Sequence, residues 1–263
     1  MPSPIVEARP SASVILVRDG PHGLECFMVQ RHPRSPAFPS AYVFPGGTLR
    51  DDDLHLVPAD RLGLARALSE RSDTPVDVPR ASALYACAMR ELFEEAGVLL
   101  VRDHSGALLG VDDQDPRLQE RLQSTRLALQ ARELAIADML AEHAWQPAFD
   151  LLIPFSHWVT PRPLGVRFDT RFFIARLPPR QSALHDTLES SEGLWLRPRR
   201  ALDDDYLILY PTAQHLGRLL AFHTVDDLLA FARVKAIRSV SPELVESSSG
   251  VSPVIPTELI DAW

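Results

Sequence analysis

The sequence predicts an α+β or α/β sandwich, with helices packed on both faces of a mixed β-sheet. Three observations carry this. Strand-like and helix-like segments are interspersed without a regular βα alternation. One segment, residues 80–96, "RASALYACAMRELFEEA", has a clear helical period and a glycine behind it. The chain has 263 residues, 46% hydrophobic and 24% charged, which is enough to bury a sizeable core.

Taken in order, "SASVILVRDG" (11–20) and "LECFMVQR" (24–31) flank "DGPHG" and form a hairpin. The proline-rich "HPRSPAFPSAYVFPGG" is a loop with a short strand at Tyr42–Phe44 and a tight turn at Pro45-Gly46-Gly47. A short helix is expected at 59–70. The helix of residues 80–96 has Pro79 in its first turn and Gly97 as its stop. "VLLVRD" is read as a strand, and 116–144 as one or two helices. Residues 150–161, 167–177 and 192–198 are strands, and 210–222 and 224–236 helices. The single domain spans 10–238, with insertions at about 54–79 and 112–145, and 239–263 is a loosely ordered tail.

The formal net charge of -8 argues against sequence-independent nucleic-acid binding, which needs basic charge to displace counterions. No apolar run reaches the roughly 20 residues that cross a bilayer, so no membrane partner is expected. No secretory signal is visible at the start, and the expected location is the cytoplasm. Cys26 and Cys87 sit among apolar residues and are read as buried free thiols.

The unusual feature is "RELFEEAG". With Glu91 set at zero on a helical wheel, Glu94 falls near 300° and Glu95 near 40°. The three carboxylates thus share one face, opposite the apolar one. Like charges at i,i+3 and i,i+4 cost about 0.2–0.5 kcal/mol per pair, and carboxylates in the last turn oppose the helix dipole. Spacing alone leaves two readings open, a solvated acidic face or a site for hard cations such as Mg²⁺ or Mn²⁺. The glycine turn upstream favours the second, since paired glycines allow the backbone to approach closely.

Gly47, Asp53, Arg90, Glu91, Leu92, Glu94, Glu95, Gly97 and Val98 together resemble the Nudix box, and "RELFEEAGV" matches it at each fixed position. The first half departs. Asp53 stands where the family usually has glutamate, and residues 54–89 fill a spacing that the family keeps much shorter. An interrupted box resembles the branch of Nudix hydrolases typified by a peroxisomal coenzyme A diphosphatase. "QRHPRSPAFPSAYVFPGG" and "HWVTP…RFDTRFF" add to the likeness, which covers most of residues 11–235.

The resemblance implies a Nudix-type α/β/α sandwich with extra inserted helices. It implies a metal-dependent diphosphatase acting on coenzyme A, acyl-coenzyme A or a related nucleoside-diphosphate conjugate. Alternatives are another diphosphate (ADP-ribose, NADH, a dinucleoside polyphosphate) or a non-catalytic ligand-binding domain. Glu91 and Glu95 would be the principal metal ligands, with Glu94 on a second ion or its water and the Gly47 carbonyl completing the shell. Arg90 would orient the glutamates. The general base stays open among Glu91, Glu189 and Glu192, with His185 a weaker candidate. Arg31, Arg34, Arg162 and Arg167 are candidate phosphate contacts, because the planar guanidinium can bind phosphate in bidentate fashion. The helical segment 116–144 would either cap the site or form a homodimer interface.

Overall fold

Alternation of side chains along a few strands divides this molecule into layers. A computed structural model describes residues 6–35, 38–56, 63–113, 116–184, 190–247 and 250–263. The strands are β1 (Arg9–Gly20), β2 (Gly23–Arg31), β3 (Tyr42–Val43), β4 (Gly46–Thr48), β5 (Val101–Arg102), β6 (Gln146–Pro147), β7 (Ile153–Val159), β8 (Phe168–Arg176), β9 (Ser190–Leu196), β10 (Ser239–Val240), β11 (Glu243–Ser247) and β12 (Gly250–Val254). The helices are α1 (Leu64–Arg71), α2 (Val78–Ala96), α3 (Pro116–Gln130), α4 (Ile136–Glu142), α5 (Pro198–Asp203), α6 (Tyr210–Leu219) and α7 (Val225–Val234).

The main sheet is mixed. β1 runs parallel to β8 from Arg9↔Phe168 to Val17↔Arg176, and β10 runs parallel to β7. The pairs β7–β8, β1–β2, β1–β4, β2–β3 and β2–β9 are antiparallel. Successive residues of a strand face opposite sides. Ala12, Val14 and Leu16 of β1, with Phe27 and Val29 of β2 and Phe173 and Ala175 of β8, therefore join the core under α2. Ile15, Val17, Cys26, Met28, Phe172 and Ile174 join the core under α6 and α7. These two cores make the three layers that the sequence predicts.

β1 and β2 are paired only near their hairpin, between Val17↔Cys26 and Gly20↔Gly23. Beyond that they diverge. β4 takes over the freed edge of β1 at Ser11–Ser13, and β3 that of β2 at Val29–Gln30. The fork between them places Gly46 and Gly47 of β4 beside α2.

The expected elements appear with small shifts at their ends, and both cysteines are free and buried. Three expectations differ. The tight turn expected at Pro45-Gly46-Gly47 is instead extended strand, since Gly46 and Gly47 belong to β4 and pair with Ser13 and Ala12 of β1. "VLLVRD" contributes only Val101–Arg102 to a two-stranded ladder with β6; the Gln181 side chain takes the Leu99 N–H and carbonyl, each at 2.9 Å, that a strand partner would use. The chain after 238 is not a loose tail. Ser239–Val240 pairs with β7, β11 and β12 form a hairpin, and Trp263 packs edge-on against Trp158 with its ring centroid 5.0 Å away. Burial of this indole fixes the chain end. No helix among the described residues is long and apolar enough to cross a membrane.

Candidate active site

Helix α2 ends where its sequence says it must. Asp77 caps its start, accepting a hydrogen bond from the Arg80 N–H at 2.8 Å, and Pro79 lies in the first turn. Gly97 closes it in the left-handed conformation, φ 69°, with its N–H donating to the Phe93 carbonyl. The last two turns carry Arg90, Glu91, Glu94 and Glu95, all buried. Buried charge of this density requires partners, and two arginines and the glycines of β4 provide them.

Arg90 is the hub. Its Nε and Nη2 donate to Asp53 Oδ1 and Oδ2 at 2.8 and 3.0 Å, and its Nη1 donates to Glu91 Oε1 at 2.7 Å and Glu94 Oε1 at 3.1 Å. Nη2 also reaches the Thr48 carbonyl at 3.2 Å. Burial alone would lower the Arg90 pKa, but Glu91 and the hydrogen bonds that Arg90 donates to Asp53 outweigh it and raise it. Asp53 is itself fixed by a short 3-10 turn, Asp51–His55, and accepts from the Arg50 N–H at 2.8 Å. The two ends of the interrupted motif thus meet although residues 54–89 separate them.

Glu91 and Glu95 stand one turn apart against the glycines. A Cβ on Gly47 would lie 2.6 Å from Glu91 Cδ, so the carboxylate occupies the space a side chain would fill. The Gly46 N–H donates to Glu95 Oε2 at 2.9 Å. Burial pushes the Glu91 carboxyl above the usual glutamate range, and Arg90 works against this. The Gly47 carbonyl accepts a weak bond from Cys87 Sγ at 3.7 Å.

Glu94 faces elsewhere. Arg50 grips it in bidentate fashion, Nη1 to Oε1 and Nη2 to Oε2, each at 2.9 Å. Its backbone carbonyl accepts from Arg126 Nε and Gln130 Nε2 of α3, both at 2.8 Å, which satisfies a carbonyl that the helix end leaves open. Among the described residues no three His, Cys, Asp or Glu side chains converge as a ready cation cage.

The other predicted residues are spread out. Glu192 of β9 pairs with Gln30, so it lies on the sheet face opposite α2, where its carboxylate accepts from Tyr42 Oη at 2.6 Å. Glu189 and His185 lie outside the described residues. Arg31 is half-buried and donates to Ser35 Oγ at 2.8 Å. Arg34 is exposed in the following loop, and Arg162 is exposed between β7 and β8. Arg167 is buried, donating to the Thr160 and Val6 carbonyls at 3.0 and 2.6 Å. A cavity of about 20 Å³ lined by Arg80, Leu84, Asp169 and Arg171 lies toward the other end of α2, with room for about one water.

Sequence reasoning did not single out Arg50, Arg126 or Gln130. Arg50 lies three residues before Asp53, and no local spacing connects any of them to Glu94. Their contacts span 32 to 44 positions of sequence.

Known proteins resemble this chain over most of its length. A NUDIX hydrolase from Alicyclobacillus acidocaldarius superposes with a TM-score of 0.67 at 24% identity, covering 86% of this chain and 96% of that one, and so shares the fold. The acyl-coenzyme A diphosphatase NUDT19 of Xenopus laevis is 29% identical over 268 residues, 88% of this chain and 70% of its own. The human protein of that name is 27% identical over 95% of this chain and 76% of its own. Residues 57–207, more than half of the chain, match the NUDT19 Nudix domain, and the chain belongs to that family of Nudix hydrolases.

Proposed function

We propose that this protein is a metal-dependent diphosphatase that cleaves the diphosphate bond of coenzyme A, acyl-coenzyme A or a related nucleoside-diphosphate conjugate, by attack of water at phosphorus. The observation that carries the reading is the apposition of Glu91 and Glu95 to Gly46 and Gly47 of β4, braced from behind by Arg90 and Asp53. The substrate class is supported by the relatives, which are named acyl-coenzyme A diphosphatases.

The donors beside these glycines are oxygens, which suits Mg²⁺ or Mn²⁺. Glu91 and Glu95 are the ligands of this reading, with the Gly47 carbonyl beside them. A bound cation would neutralise the diphosphate and make water a stronger nucleophile. Around it, Arg90 fixes the Glu91 carboxylate by a 2.7 Å hydrogen bond, and the Gly46 N–H fixes that of Glu95. Such prior positioning supplies most of the rate in phosphoryl transfer. Of the candidate bases among the described residues, Glu91 is the one whose carboxylate stands against the glycines, and we take it as the base. Arg31, Arg34 and Arg162 are the proposed phosphate contacts. Arg167 already spends its guanidinium on carbonyls.

The test is turnover with Mg²⁺ or Mn²⁺ on coenzyme A, acetyl-coenzyme A, ADP-ribose, NADH and a diadenosine polyphosphate. Coenzyme A or its thioester is expected to be cleaved most efficiently, and Glu95→Gln to lower the rate about 100-fold. Unchanged turnover in that variant would reject the site. Preferred cleavage of another diphosphate would reject the substrate, and binding without turnover would indicate a ligand-binding domain.

A further inference from the structure

Arg50 belongs to none of the fixed positions of the motif, yet its guanidinium sits on one of the three glutamates. The side chain is 13% exposed and that of Glu94 is 1% exposed. Its two Nη atoms take both Glu94 oxygens at 2.9 Å, while Arg90 Nη1 adds a third bond to Oε1 at 3.1 Å. A carboxylate has about four lone-pair directions, so three of those on Glu94 already face guanidinium donors. Arg50 is held in turn by α3, since its Nη1 also donates to the Leu129 carbonyl at 2.9 Å. The same helix anchors Glu94 from behind through Arg126 and Gln130.

The cluster therefore has two sides. Glu91 and Glu95 face the glycines of β4, and Glu94 faces an arginine that α3 locks in place. We propose that Arg50 is a resident counter-cation for Glu94. It occupies the position that an additional divalent ion would need, and it restricts the site to ions held by Glu91 and Glu95. Arg50 is then a positioning residue, and Glu94 supports the end of the helix instead of ligating. The inference rests on the metal-dependent reading above.

The test counts bound Mn²⁺ on the full chain by electron paramagnetic resonance titration without substrate, a readout separate from activity. Arg50→Met is expected to bind one more ion than wild type, Glu94→Gln the same number as wild type, and Glu95→Gln fewer. The double variant Arg50→Met/Glu94→Gln is expected to return to the wild-type number, because the added ion needs Glu94. Arg50→Lys keeps the charge and is expected to keep the wild-type number, which guards against poor folding of the methionine variant. A loss of Mn²⁺ in Glu94→Gln, or no gain in a folded Arg50→Met, would overturn the proposal while leaving metal dependence intact. Wild-type protein that binds no Mn²⁺ would overturn both.

Discussion

Arg90 and Asp53 lie 37 positions apart in sequence, yet they meet in a two-point ion pair, 2.8 and 3.0 Å, with Asp53 fully buried and Arg90 1% exposed. This pair joins the glycines of β4 to the carboxylate helix across the inserted segment. Removing one partner of such a pair leaves the other charge buried and uncompensated, at about 3–5 kcal/mol.

Asp53→Asn keeps the shape and removes the charge. It is expected to destabilise the protein by about 3 kcal/mol in urea unfolding and to lower turnover, because Arg90 also orients Glu91. A change below about 0.5 kcal/mol would mean that the brace is structurally idle.

The two glycines are expected to fail differently. A Cβ on Gly47 meets the Glu91 carboxylate, which Arg90 holds but which, as a side-chain end, can shift more easily than backbone. Gly47→Ala should therefore fold with a stability change under about 1 kcal/mol but lose about 100-fold in kcat/KM, since small misplacements of reacting groups cost that much. A Cβ on Gly46 meets backbone, 2.6 Å from the Ala12 carbonyl oxygen and 2.7 Å from Ser13 Cα. Gly46→Ala should pry β4 from β1 and cost about 1–3 kcal/mol. Paired measurements of unfolding and kinetics separate the two, and equal thermal losses for both variants would refute the distinction.

The carboxylate helix was legible because its information is local. The first-turn proline, the 3.6-residue period and the stop glycine all lie within 19 residues, from Pro79 to Gly97, although the capping Asp77 just before them was not singled out. The pairing of Asp53 with Arg90 was suggested by position but hidden by the insertion, since sequence spacing says nothing about how far an intervening segment brings its ends together. Arg50 and Arg126 were illegible for another reason. In a chain with 27 basic residues, an arginine that binds a carboxylate 44 positions away looks like one that faces water. Trp263 shows the same limit, because its burial depends on partners from β7 and α6.

Helix α3 is expected to serve as a buttress. Arg126 donates to the carbonyls of Glu94 and Leu184, each at 2.8 Å. Arg126→Met keeps the length and removes both bonds, for an expected cost of about 1–3 kcal/mol. The loss should appear as faster amide hydrogen exchange across Pro116–Gln130 and Val98–Val101, the latter being the buried segment that follows the anchored helix end. Unchanged exchange there would remove the link between α3 and the site.

A buried histidine should set part of the acid sensitivity. His215 is fully buried, with Nε2 2.6 Å from Ser156 Oγ and Nδ1 2.6 Å from the Pro211 carbonyl. The carbonyl assigns the proton to Nδ1, so Nε2 accepts from the serine hydroxyl. Burial pushes the His215 pKa down from 6.5 to about 3; the Pro211 carbonyl opposes this, and Lys235 and Arg218 add to the lowering. Between those two values the unfolded chain takes up a proton that the native state refuses. The contribution of His215 to stability is therefore complete above pH 6.5 and lost as the pH falls toward 3, at about 1.4 kcal/mol per pH unit. Urea unfolding at several pH values between these limits measures the slope. His215→Gln is expected to be less stable at neutral pH and to lose about one proton's worth of that slope. A variant whose slope matches wild type would show that the histidine is protonated inside the fold, against the apolar rings that enclose it.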